Sequence, residues 1–511
     1  MRALLAKKSI AQIQQESGAC ELKRSLSALN LVSLGIGCIV GAGIFTLTGE
    51  QTAIYAGPAI MISFVLAAIA CVLVALCYAE LASTLPVSGS AYTYAYATLG
   101  ELPAWIMGWL LILEYGIAAS TVAVSWSGYF VSLLKDIGII VPAALANPTL
   151  LYDPNICGWQ TLGAERAFNL PAFASVMLLT GLLIAGVKES ATINNVIVAL
   201  KVSVLVLFVA VGLPHINTAL WHPFIPDPVI IHEKLANGLS AACGQNDIPV
   251  VHYGWLGILH AAAVISFAFV GFEAVSTAAQ EARNPQRDMP IGILVSLAIC
   301  TALYMAVGAV LTGLVPYKNL NVPDPLALAV DVLHVNWIIW VVKIGAVIGL
   351  FSVTLVLLYG QTRIFYSMGR DRLLPELFAR IHPRFHTPHW NTLIVGTVTA
   401  LVAGFTPIDI LGDLVSLGTL TAFAIVCFSV LYLRYKRPDM PRVFKVPFFP
   451  LTPILGIAAC VFLMWGILNM MKLLFIYYMP VGLLIYFFYS RRRSLLRKTT
   501  LMAPMAPGAV Q

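Results

Sequence analysis

LNLVSLGIGCIVGAGIFTLTG, residues 29–49, is apolar enough to enter a bilayer and yet poorly made as a helix. About 20 helical residues cross a hydrocarbon core of roughly 30 Å, so the length fits one span. Gly35, Gly37, Gly41 and Gly43 fall inside it, and each glycine weakens a helix interior by about 1 kcal/mol relative to alanine. Two readings stay open on spacing alone. The Gly37/Gly41 pair suits a close crossing of two helices, and the same run suits a break in mid-membrane.

A second stretch gives the break more weight. VISFAFVGFEAVSTAAQEARNPQRDMP, residues 264–290, carries Gly271 near the middle of an apolar run, with acidic Glu273 just beyond it. Interruptions at corresponding places in two five-helix halves point to an inverted-repeat transporter, whose site lies where unwound backbone meets at the bilayer midplane. No residue-level repeat supports this, so the reading rests on position. Such a site suits a zwitterion. Freed N–H groups at a half-helix start hold a carboxylate, and freed carbonyls accept from an ammonium group. Irregular backbone is tolerable at that depth only where protein encloses it.

Working outward, the whole chain reads as membrane-embedded. Of its 511 residues 59% are hydrophobic and 10% charged, with mean hydropathy +0.88; soluble domains carry about a quarter charged residues. Apolar runs fall near 29–48, 58–84, 103–134, 170–187, 193–213, 255–280, 290–314, 335–367, 391–405, 409–433, 448–468 and 472–490. The expectation is an all-α integral membrane protein of about 12 transmembrane helices. Its parts are a cytoplasmic segment 1–28, a transporter domain 29–490 and a basic tail 491–511. Within the domain, the first repeat covers about 29–213, the second about 255–433, and two extra helices about 448–490.

The net charge of +7 has a topological explanation. With the N-terminus cytoplasmic, 23 of the 30 Lys and Arg fall inside and 5 outside, while Lys201 and Lys343 lie within spans. Both termini are then cytoplasmic, and a nucleic-acid partner loses its support. The first span has no small-residue cleavage site, so it is expected to remain in the mature protein. Economy of length and termini suggests a bacterial inner (plasma) membrane.

Four long strings match a known family. GIGCIVGAGIFTLTG (35–49), YAELASTLPVSGSAYTYAYATLGE (78–101), GFEAVSTAAQEARNPQRDMPIGI (271–293) and GQTRIFYSMGRDRLLP (360–375) resemble, in order and spacing, the cationic amino acid transporter branch of the amino acid, polyamine and organocation superfamily. The similarity runs from about residue 25 to the last span. It implies a LeuT-like fold, five helices, an inverted copy of five and two more. It also implies that Ile39, Val40, Gly41, Ala42 and Gly43 line the carboxylate end of the site, and that Phe267, Ala268 and Val270 offer carbonyls to the amine. Phe267 is either a gate or a packed core aromatic. Glu114 matches an acidic residue near the substrate pocket. Glu273 stands where family members commonly have aspartate, which leaves pocket length and cationic preference open.

Ionisable groups at the middle of a span cost roughly 2.5–3.5 kcal/mol each, so Glu114, Lys201 and Glu273 require a purpose. Lys201 lies half-way along the fifth span. By the resemblance, a lysine there takes the place of a sodium ion, which favours proton over sodium coupling; a permanently charged structural lysine bonded to first-span carbonyls is the alternative. Lys343, nearer a span end, is expected to snorkel. Glu80, Arg283, Arg287, Arg363 and Arg370 are either solvated loop charges, the favoured reading, or a cytoplasmic ion-pair network. Cys157 and Cys243 lie one in each long outer loop and are a candidate disulfide, two free thiols being the alternative. The loop histidines lack metal-ligand spacing.

The functional expectation is a secondary active amino acid transporter driven by a proton gradient, with no cofactor and no sodium. Its partners are a small-molecule amino acid and membrane lipid. An exchanger and a non-transporting amino acid sensor on the same scaffold are the alternatives. An enzyme lacks any supporting polar set.

Overall fold

The computed structural model describes residues 26–85, 90–148, 150–153, 158–161, 167–186, 191–231, 250–278, 282–333, 335–385, 387–467 and 477–495. Cys157 and Cys243 lie outside them. The six described cysteines are buried.

The fold is nearly all helix. Among the described residues, seven helical stretches are long and apolar enough to cross a membrane, and four shorter apolar helices accompany them. The first span is in two pieces. Ser27 caps the helix Ala28–Ile39, accepting from the Asn30 N–H, and the chain turns extended at Val40 (φ −74°, ψ 94°). Helix resumes at Gly43 with π-type turns and continues to Ala56. This second piece outruns the expected end near residue 48. Glu50 and Gln51 look like loop residues in sequence, yet Thr48 and Thr52 donate their hydroxyls to carbonyls of their own helix, Gly43 (2.8 Å) and Thr48 (2.6 Å), and carry it onward. Gly57, at φ +60°, stops it.

The next spans are Ile60–Thr84, Glu101–Asp136, Leu170–Ile184 and Ala191–Gly212. The sixth, like the first, is broken: helix Gly254–Ile265 tightens to a 3₁₀ turn Ser266–Phe269, opens at Val270 and Gly271, and resumes as Glu273–Ala278. Spans Pro285–Leu314, Asn336–Arg370, His389–Phe405, Ile408–Lys436 and Leu451–Trp465 follow, and the last described helical stretch covers 477–493. Beyond these, the loops hold short elements that hydropathy does not register: a helix Ser90–Thr98, a helix Pro325–Asp331, and two antiparallel hairpins, Leu150–Asp153 with Gly158–Thr161 and Val229–Ile231 with Val250–His252. The hairpins lie in the two long loops and leave the fold class all-α. There, off the apolar spans, short strands pair with each other.

The first-span glycines divide the work between the two open readings. A Cβ on Gly35 would fall 2.5 Å from Ser296 Oγ, and one on Gly37 2.7 Å from Val198, so these two let spans seven and five close in. Gly41 and Gly43 stand at the break itself.

Two charge expectations change. Lys343 does not snorkel: it is 4% exposed, and its Nζ donates to Asp136 Oδ2 at 2.6 Å, joining the outer ends of spans eight and three. Glu80 finds none of Arg283, Arg287, Arg363 or Arg370. It lies buried near the C-terminal end of span two, accepting from Arg434 Nε (2.9 Å) and Nη2 (2.5 Å) and from the Val446 N–H (2.7 Å). Arg442 Nε stands 3.4 Å away. The clasp therefore ties span two to the end of span ten and the loop after it.

Removing one partner of a buried pair strands the other charge, at about 3–5 kcal/mol. Arg434→Ala is expected to lower the melting temperature of the detergent-purified protein sharply. Replacing both charges, as in E80L/R434M, is expected to recover most of that loss, measured by thermal unfolding.

Candidate substrate-binding site

The two breaks lie against each other. Gly271 holds φ +122°, and a Cβ there would stand 2.7 Å from the Cys38 carbonyl carbon and 2.9 Å from Ile39 N. A Cβ on Gly43 would stand 2.3 Å from Ala268 Cβ and 2.4 Å from its Cα. Each break thus presses on the other across two backbone contacts that only glycine allows. The predicted residues Ile39, Val40, Gly41, Ala42, Gly43, Phe267, Ala268, Val270 and Glu273 form one neighbourhood.

Part of the freed backbone is already used. The Tyr304 hydroxyl donates to the Ile39 carbonyl at 2.8 Å, Gly41 O accepts from the N–H groups of Ile44 and Phe45, and Phe267 O accepts from the Val270 N–H at 2.9 Å. A helix start leaves its first-turn N–H groups without a carbonyl one turn back in the helix, and at this restart those of Ile44 and Phe45 bond Gly41 O. The start of a helix is also a place where an anionic group is favoured.

Lys201 is 0% exposed and its Nζ donates to Gly37 O at 2.9 Å, one turn before the break. Its stem packs on Gly349 of span eight, where a Cβ would meet it at 3.0 Å. The lysine therefore reaches from span five into the first-span backbone.

Next to the Gly271 turn lies a group of buried polar side chains. Glu273 Oε2 accepts from the Gly271 N–H at 2.8 Å and so locks the turn; Oε1 accepts nothing. Glu114 of span three lies within electrostatic reach of Glu273, beside Thr419 of span ten, and neither of its oxygens accepts a hydrogen bond. The hydroxyls of Tyr78, Tyr94, Tyr115 and Ser276 are likewise buried without hydrogen-bond partners. Native interiors leave few such groups unpaired, so a concentration of them marks room for water or a polar ligand. Sequence reasoning found Glu114 and Glu273 but missed Tyr78, Tyr94, Tyr115, Ser276 and Thr419. They come from spans two, three, six and ten and the 90–98 helix, and no spacing within one segment announces that convergence.

Contacts close over the break at both ends. Outside, Tyr129 donates to Phe45 O at 2.7 Å and Thr46 to Pro323 O at 3.4 Å; a Cβ on Gly49 would fall 2.5 Å from Pro325. Inside, the Arg283 N–H donates to Leu26 O at 2.9 Å, joining the chain before span one to the chain after span six.

Comparison with known proteins agrees with this architecture. The model of the amino acid permease family matches residues 26–493. The chain belongs to that family. It is 43% identical over 498 residues to the methylthioribose transporter of Bacillus subtilis (strain 168), covering 98% of this chain and 100% of that one. It is 44% identical over 498 residues to the branched-chain amino acid permease BcaP of the same organism, covering 97% and 99%. A vacuolar cationic amino acid transporter 4 of Arabidopsis thaliana is 35% identical over 445 residues, covering 86% of this chain and 68% of that one. This permease is therefore a multi-pass membrane transporter with a small-molecule amino acid as its substrate class, and its relatives are named as permeases and transporters, not enzymes.

Gly271→Ala and Gly43→Ala are each expected to abolish amino acid uptake, because the added methyl meets backbone or Cβ atoms that cannot yield. Gly181→Ala, with nothing within 4 Å of its Cβ, is the control and should retain uptake. Radiolabelled uptake, normalised to the folded fraction from size-exclusion chromatography, checks all three.

Proposed function

We propose that this permease is a proton-coupled symporter of L-amino acids that works by alternating access around the broken first and sixth spans. The observation that carries the reading is the mutual contact of the two breaks at Gly43, Ala268, Gly271 and Cys38. Backbone freed there meets the carboxylate and ammonium common to every amino acid, so recognition of that moiety needs no charged side chain. The two halves of a LeuT-like 5+5 inverted repeat rocking about this point would open it to one side and then the other.

Lys201 supports proton coupling over sodium coupling. Its ammonium bonds Gly37 O directly and supplies a positive charge beside the break. Loss and regain of that proton as the cavity opens would couple the gradient to the position of the first span. The concentration of Lys and Arg on one side supports an inner-membrane protein with both termini in the cytoplasm.

For the substrate side chain, the unpartnered oxygens of Glu114 and Glu273 favour a cationic or hydrogen-bond-donating group. A neutral side chain is the second reading, supported by the two Bacillus subtilis relatives named for branched-chain amino acids and methylthioribose.

Purified protein in liposomes, offered a panel of labelled amino acids under imposed proton or sodium gradients, tests the proposal. Uptake should follow the proton gradient and ignore sodium. Lys201→Met should abolish it in a protein that still elutes as a single species. Near-normal proton-driven uptake by K201M would remove the lysine from the mechanism, and strong stimulation by internal substrate without a gradient effect would indicate an exchanger.

A further inference from the structure

Away from the breaks, a second set of ionisable side chains gathers at the outer ends of spans one, six and ten. Asp409 lies exposed at the start of span ten, and Asp413 one turn deeper is 17% exposed. His260 of span six is 15% exposed, its Nε2 3.9 Å from Asp413 Oδ1. Deepest is Glu50 of span one, 3% exposed, whose carboxyl lies within electrostatic reach of both Asp409 and Asp413. The set descends from the surface into the protein. Its lowest member stands seven residues beyond Gly43, about 10 Å along the helix at 1.5 Å per residue.

The atoms turned toward one another are nearly all acceptors. His260 Nδ1 sits 2.8 Å from Gly466 O of the chain after span eleven, so that nitrogen carries the ring hydrogen and Nε2 is left without a partner. Glu50 Oε1 accepts from Gln51 Nε2 at 3.1 Å, while Glu50 Oε2 and Gln51 Oε1 accept nothing. Gln51 is 1% exposed. The other faces bring Tyr55, stacked on His260 at 3.8 Å, and His252 of the outer hairpin. Facing acceptors of like charge repel unless hydrogens stand between them, and Glu50 Oε2, Gln51 Oε1 and His260 Nε2 are left without one. What fits such a place is an acidic proton.

We propose that Asp409, Asp413, His260 and Glu50 form a proton-uptake station, which takes protons from the outer solution and holds them above the substrate site. The binding is simple acid–base exchange: hydronium gives a proton to a carboxylate or to His260 Nε2, and water leaves. Its role in transport rests on the proton-coupled reading given above; its existence as a proton-binding site does not. The geometry divides the labour. Asp409 meets the solution, the Asp413–His260 pair stands between, and Glu50 is the holding group, carried on the moving outer half of span one.

Infrared spectroscopy of the full-length protein in liposomes tests this without using transport. Wild type should show the carbonyl band of a protonated carboxyl, lost as buffer pH is raised. The near-isosteric Glu50→Gln and Asp413→Asn should each remove the titrating part of that band, and Lys201→Met should keep it. In parallel, Glu50→Gln should cut proton-driven uptake several-fold while substrate affinity stays within about two-fold. A titrating band unchanged in both folded variants overturns the station even if uptake proves proton-driven. The band behaving as described in a protein that takes up amino acids without a proton gradient upholds the station and sinks the coupling proposal instead.

Discussion

Every peptide group inside a bilayer must find a hydrogen-bond partner within the protein, because lipid offers none. A chain that breaks two of its spans accepts a cost of several kcal/mol unless the broken ends satisfy one another or enclose something polar. Here they do both. Tyr304, reaching from span seven, bonds the Ile39 carbonyl; Glu273 folds back onto the Gly271 N–H; Gly41 receives two N–H groups of the resumed helix. The two turns touch at Gly43 with Ala268 and at Gly271 with Cys38. Glycine is the condition of that touch. At Gly271 both the positive φ and the lack of a Cβ are needed, since the Cys38 backbone occupies the place a side chain would take.

Charge burial follows the same economy. Glu80 with Arg434 and Arg442, and Lys343 with Asp136, are paired within the protein and fasten the ends of spans to one another. Such pairs add little net stability but are costly to break, which makes them suitable as fasteners. Lys201, Glu114, Glu273 and Glu50 differ. Lys201 donates to Gly37 O, Glu273 accepts from the Gly271 N–H and Glu50 from the Gln51 amide, while Glu114 and the second oxygens of Glu273 and Glu50 accept nothing. Fastened charges sit at the ends of spans, and these incompletely satisfied ones lie on the broken spans or beside them.

The outer cover deserves the same reading. The segment around Pro323 and the helix Pro325–Asp331 lie on the outer half of span one, touching Thr46 and Gly49. Span one thus carries contacts to the substrate break, to the cover and to Glu50 along one helix. A tilt of that helix would alter all three together.

Composition and hydropathy by themselves determined that this chain lives in a membrane, how many times it crosses and on which side its positive charge collects, because burial in lipid acts on each segment independently and leaves its mark within about 20 residues. The positions of both breaks were legible too, from glycine at mid-span in two corresponding spans; glycine in one span alone suits close packing equally. Only the tertiary structure decided which glycines pack and which unwind, that Lys343 pairs with Asp136, that Glu80 belongs to Arg434, and that Glu50 and Gln51 continue a helix toward Asp409, Asp413 and His260. Tyr78, Tyr94, Tyr115 and Thr419 were invisible for the same reason. These groups come from segments as much as 341 positions apart (Tyr78 to Thr419), and their meaning lies in a distance between helices, which no local pattern records.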